Sequence, residues 1–147
     1  MKSGMKRTGR DLKATRLETW AMPGVPDVVL CDESGKFHFI ELKATAGNAV
    51  DLRPHQVAWL TNHGHASVWV MVKKRPTKNA PEQLFVYRGS GAVDLRMEGL
   101  NGSVEPAYHE ESASGPARGR PKESFAGGFD WDAIFSVICP QSPSGGS

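Results

Sequence analysis

Along residues 37–43 the chain reads FHFIELK, largely apolar on both alternating sets of positions until Glu41 and Lys43 interrupt one of them. A strand apolar on both faces belongs in the middle of a sheet. Around it the pattern lays out a compact αβ unit between about residues 16 and 88. Residues 17–20 predict a short strand, broken by Met22, Pro23, Gly24 and Pro26, and residues 27–31 predict the next. DESGK, with its glycine, predicts a hairpin loop into the 37–43 strand. After Gly47 and Asn48, Pro54 stands where a first helical residue is favoured, so PHQVAWLTNHG predicts a helix that stops at Gly64. Residues 67–72 and 84–87 predict two more strands, the first reached by a right-handed crossover, and residues 93–100 a short helix. The order β, β, β, α, β, β predicts an α/β fold, a mixed sheet flanked by helices.

Outside that unit the chain changes character. Residues 1–15 form a basic arm, and residues 101–128, rich in Gly, Ser, Pro, Glu and Arg, read as a flexible linker. Within residues 129–147, Trp131, Ile134, Phe135 and Ile138 fall at helical spacing, so a short amphipathic helix is expected to dock back on the domain before a frayed tail.

A chain of 147 residues with 39% hydrophobic and 23% charged residues predicts a single soluble core. No apolar run approaches the roughly 20 residues of a membrane span, and no apolar segment follows MKSGMKRTGRDLK as in a secretory signal, so a cytoplasmic protein is expected. Cys31 and Cys139 form no CxxC, which argues against a disulfide framework or zinc site. The net charge of +2 says little, but Lys6, Arg7, Arg10 and Lys13, and again Lys73 and Lys74, cluster as phosphate-binding residues do. Solvated surface is the plainer reading of such runs. His63 and His65 read as an exposed turn, and Trp59 and Trp69 as core. There is no P-loop and no Ser/His/Asp set at recognisable spacing.

The charged positions in the central strand carry more information. Alternation places Phe37, Phe39, Glu41 and Lys43 on one face, and the hairpin folds Asp27 back beside Glu41. Two neighbouring carboxylates repel, and buried charge must be paired or bound. A hard cation such as Mg²⁺, which takes oxygen ligands, removes the conflict. The Leu42 carbonyl, between Glu41 and Lys43, is expected to face the same ion. Lys43 is placed to orient or deprotonate a nucleophile, or to offset charge on phosphorus. Gln56 either supports this site or caps its own helix.

GVPD, then IELK, then a helix opening RPHQ resembles the PD-(D/E)XK nuclease superfamily, and most of all its small phage and VRR-NUC-like members, over residues 16–73. The resemblance implies a restriction-endonuclease-like sheet with a βββαβ core, as a nuclease domain over residues 16–100. It implies Asp27 and Glu41 as metal ligands, Lys43 as the catalytic lysine and Gln56 as a supporting residue. Glu18 matches an acid that many members carry ahead of the PD motif. The implied cofactor is Mg²⁺, with Mn²⁺ as substitute, and the implied reaction is hydrolysis of DNA phosphodiesters to leave a 5′ phosphate. The expected substrate is branched DNA such as a Holliday junction, or an ordinary duplex, in phage recombination, repair or replication, hence in the cytoplasm of a bacterial host; one site per chain against two cuts on different strands predicts a homodimer. A sequence-specific restriction-type endonuclease and a non-catalytic DNA-binding module are the alternatives. One departure stands out: family members carry a longer helix before the first strand, where this chain has only its basic arm.

Overall fold

Val68, Trp69, Val70, Met71 and Val72 are all buried, so the strand they form needs cover on both faces, and the rest of the molecule is arranged to supply it. A computed structural model describes residues 1–18, 22–112 and 128–141. Its elements are α1 (Lys2–Arg7), β1 (Lys13–Arg16), β2 (Val28–Cys31), β3 (Phe37–Thr45), α2 (Pro54–Asn62), β4 (Val68–Lys74), β5 (Gln83–Arg88), α3 (Ala92–Glu98), β6 (Tyr108–Glu111) and α4 (Trp131–Ile138). The six strands form one mixed sheet in sequence order. Only β3 and β4 pair parallel among neighbours, the others antiparallel. α2 is the crossover between the parallel pair, and the protein is α/β with a mixed sheet between helices.

Alternation along the strands separates two cores. Leu30, Ile40, Met71, Leu84 and Val86 face α4 and α1. Val68, Val70, Val72 and Tyr87 face the side of α2 and α3, where Leu60 and Leu95 are buried. α4 buries Trp131, Ile134, Phe135 and Ile138, and Asp130 caps it by accepting from the Ala133 amide at 3.1 Å. The expected docking of this helix is therefore what the chain does, onto its own sheet. The arm also contributes: its α1 packs so closely on α4 that a Cβ on Gly4 would lie 2.3 Å from Trp131 Cδ2. Together α1 and α4 cover the face that a longer leading helix was expected to cover.

Two expectations need correction. The first strand is Lys13–Arg16 rather than residues 17–20, of which 19 and 20 lie outside the described residues. It is an edge strand with mostly exposed side chains, so no hydrophobic pattern marks it; its ladder to β2 holds it, Arg16 opposite Val28. The linker is likewise not all irregular, because Tyr108–Glu111 adds a polar edge strand against β5. The remainder of that stretch, residues 113–127, and tail residues 142–147 lie outside the described residues. Among the described residues no helix is long and apolar enough to cross a membrane. Both cysteines are free.

Candidate active site

β2 begins where the GVPD turn ends, and its ladder to β3 closes with Val28 opposite Ile40. The next step of that register sets Asp27 opposite Glu41. β3 runs on to Thr45, paired there only with β4, so its other edge is open beyond Asp27. Phe39 donates its amide to Ser67, and Thr45 accepts from Arg75, so odd-numbered backbone groups face β4 and even-numbered ones face Asp27. The Leu42 amide accordingly donates to Asp27 Oδ2 at 3.0 Å, and the Leu42 carbonyl points to the same open edge. Gly24 allows this turn: it has φ +95°, and a Cβ there would lie 2.3 Å from the His55 carbonyl oxygen of α2.

Glu41 is 2% exposed. Its Oε1 accepts from Gln56 Nε2 at 3.0 Å and lies 3.8 Å from Lys43 Nζ. Gln56 Oε1 accepts from Lys43 Nζ and from the Arg53 amide, each at 3.0 Å. Gln56 thus makes two kinds of contact at once: its side-chain oxygen caps α2, while the same amide group ties the acid to the lysine. Glu41 Oε2 is buried without a hydrogen-bond partner. Burial, then the Asp27 charge, push the Glu41 carboxyl up to about 7, against the opposing pull of Lys43. Two ionised carboxylates only accept hydrogen bonds, so this contact is satisfied by a proton or by a cation.

The remaining expected residues are spread more widely. Glu18 is exposed on the loop after β1, one residue beyond Leu17, whose amide donates to the Asp27 carbonyl at 2.7 Å. Lys6 and Arg7 are exposed on α1, over the opposite face of the sheet from Glu41, and Lys13 is exposed on the edge strand. Lys73 pairs with Glu82 at 3.6 Å. Lys74 follows the same alternation as Val70 and Val72, opposite Thr45, and so shares the face and sheet end of Glu41 and Lys43; it donates to Asn48 Oδ1 at 2.6 Å. Arg53, exposed as the N-cap of α2, adds a cation at this mouth that the sequence pattern left without a role; its place as the first residue of RPHQ was the available signal.

Arg10 is a correction. Its guanidinium pairs with Glu33 and donates to the carbonyls of Phe135 at 3.2 Å and Cys139 at 2.8 Å. It therefore clamps the end of α4 to the β2–β3 hairpin and is committed away from phosphate. Arg10→Ala is expected to lower stability by about 2 kcal/mol in urea unfolding.

Among the described residues no three His, Cys, Asp or Glu side chains gather as a metal cluster, so the donor set at this edge is two carboxylates and a main-chain carbonyl. The sequence matches no protein-family model, and neither a curated protein nor a solved structure matches it.

Proposed function

We propose that the chain is a divalent-metal-dependent DNA endonuclease with a restriction-endonuclease-like core formed by β1, β2, β3, α2 and β4. The observation that carries this reading is Glu41: a buried carboxylate with one oxygen held by Gln56, the other without a donor, and Asp27 next in register across the strand pair. Oxygen donors alone, from Asp27, Glu41 and the Leu42 carbonyl, suit a hard ion, Mg²⁺ or in its place Mn²⁺. Glu18 is not needed for this set. When bound, the ion would act as a Lewis acid on the scissile phosphate and acidify the attacking water.

The chain's own groups do the positioning. Gln56 holds Glu41 and Lys43 in fixed relation, so the lysine ammonium stands beside the acid pair, where it offsets charge that grows on the phosphate. Lys74 and Arg53 lie near the same mouth, where their cations favour a polyanion. A non-catalytic DNA-binding module has no use for a strained acid pair next to a lysine, whereas a restriction-type enzyme would share it. One such centre serves each chain, and paired cuts on two strands, as in a Holliday junction, call for two. The working species in this reading is a C₂ homodimer on branched DNA.

Supercoiled plasmid and a synthetic four-way junction test this together. Nicking or cutting in Mg²⁺ that stops in EDTA is the expected result. Binding of either DNA without cleavage in Mg²⁺ or Mn²⁺ would leave the non-catalytic module.

A further inference from the structure

On the opposite face of β3 from Glu41, at the start of that strand, three side chains are joined in one line, the serine 29 residues from the histidine. His38 Nε2 lies 2.8 Å from Asp32 Oδ2, and His38 Nδ1 lies 2.5 Å from Ser67 Oγ. Trp69 Nε1 donates to the same Ser67 oxygen at 2.8 Å. The parallel crossover causes this meeting, because it sets the residue before β4 against the start of β3. Ser67 borders a cavity of about 300 Å³ that Lys36, His65 and Arg88 also line.

The directions of these bonds follow from the groups. An indole N–H only donates, so Ser67 Oγ accepts from Trp69 and keeps its own proton to give. Asp32 Oδ1 accepts from the Ser34 amide at 2.9 Å, the Ser34 hydroxyl at 2.6 Å and the Lys36 amide at 3.0 Å. Burial alone would raise the Asp32 pKa, but hydrogen bonds from Ser34 and His38 and from the Lys36 amide outweigh it and hold the carboxyl well below its usual range. An ionised Asp32 requires the donor at His38 Nε2, and in the neutral ring Nδ1 is then the acceptor for the Ser67 proton. Pinning the hairpin requires only the Asp32–His38 link. The further link, to a hydroxyl beside a cavity with cationic walls, is the arrangement of an activated nucleophile.

We propose that Ser67 is the nucleophile of a second reactive site, which takes small anionic esters. The cavity is at the lower end of ligand-sized pockets, and the cations on its wall favour a negative group on the substrate. Arg88 is held there with its guanidinium carbon 4.9 Å from the centre of the Trp69 ring. The imidazole is turned over relative to the usual serine–histidine–aspartate line, with Nδ1 toward the serine. As Ser67 Oγ bonds to the ester carbonyl carbon, its proton passes to His38 Nδ1 and the carbonyl electrons move to oxygen. Collapse breaks the bond to the leaving alkoxide, which takes the proton from His38. Water repeats both transfers and releases the acid, leaving Ser67 as it began. Asp32 stays ionised throughout.

Diisopropyl fluorophosphate tests the nucleophile directly: Oγ–P forms, P–F breaks, and fluoride leaves. One adduct per chain at Ser67 by peptide mass mapping is expected, absent in Ser67→Ala and at least 100-fold slower in His38→Gln. Trp69→Phe, which keeps the packing and loses the donor to Oγ, is expected to slow labelling about tenfold and serves if His38→Gln fails to fold. Hydrolysis of p-nitrophenyl hydrogen succinate is expected to exceed that of p-nitrophenyl acetate by fivefold or more. Plasmid cleavage by Ser67→Ala is expected to equal that of the parent chain, separating this site from the acid pair. No adduct at Ser67, or one forming as fast in the His38 and Trp69 variants, would overturn the proposal. Equal rates on the two esters would overturn its anionic preference.

Discussion

Glu41→Gln is expected to reduce plasmid cleavage by a factor on the order of 10³ or more while making the metal-free fold more stable. Both effects come from one oxygen. Glu41 Oε2 is buried with no donor, and burial with the Asp27 charge pushes the carboxyl up to about 7. A folded pKa above the unfolded value means that the native state binds the extra proton. This group's contribution is therefore fully present below the unfolded pKa and is lost as pH rises through about 7. At pH 8 without divalent ions the ionised Glu41 beside Asp27 costs about 3 kcal/mol. The amide of the variant removes that cost and can donate to Asp27. Urea unfolding at pH 8 should show the gain, and it should vanish near pH 4. Asp27→Asn and Lys43→Ala are expected to lose cleavage to a similar extent, the first by removing a donor oxygen, the second by removing the ammonium bound to Gln56.

Asp32→Ala carries the largest expected loss of stability, about 3–5 kcal/mol. Its carboxylate, 3% exposed, pairs with His38 and accepts from three groups of the SGK turn, so truncation strands several buried donors and opens the β2–β3 hairpin. The pH dependence has the opposite sign to that of Glu41. A depressed folded pKa contributes stability above the unfolded carboxylate value and loses it as pH falls toward the much lower folded one. The parent chain should therefore gain stability from pH 8 to about 5 as Glu41 is protonated, then lose it in stronger acid. Asp32→Ala should keep the first limb and lose much of the second, a comparison that circular dichroism in urea at several pH values can make.

What could be read in advance follows the physics of each element. β3, α2, β4 and β5 carry apolar patterns because they are buried, and α4 carries one because a single face of it is. β1 and β6 are polar edge strands whose places are set by ladder hydrogen bonds to a neighbour, and no local pattern reports a distant ladder. α1 was missed for the same reason: KSGMKR reads as a charged arm, and its packing depends on the absence of a side chain at Gly4 against Trp131. At the site, strand alternation and one short turn were enough to bring Asp27, Glu41 and Lys43 together, and the helix start brought Gln56. Arg10 could not be told from a phosphate-binding cation, because the carbonyls it holds are 125 and 129 residues away. The Asp32–His38–Ser67 line was hidden likewise, since the crossover closes a gap of 29 residues between histidine and serine.

The central claim is that Asp27 and Glu41 together hold a divalent cation at the DNA. Mn²⁺ titration followed by electron paramagnetic resonance tests it most directly, using Lys43→Ala bound to a four-way junction so that ligands and substrate are present without cleavage. The expected result is one tightly held ion per chain, lost when Glu41→Gln is added and again when Asp27→Asn is added. The same ion uptake with both carboxylates replaced, or none with both intact, would contradict the account.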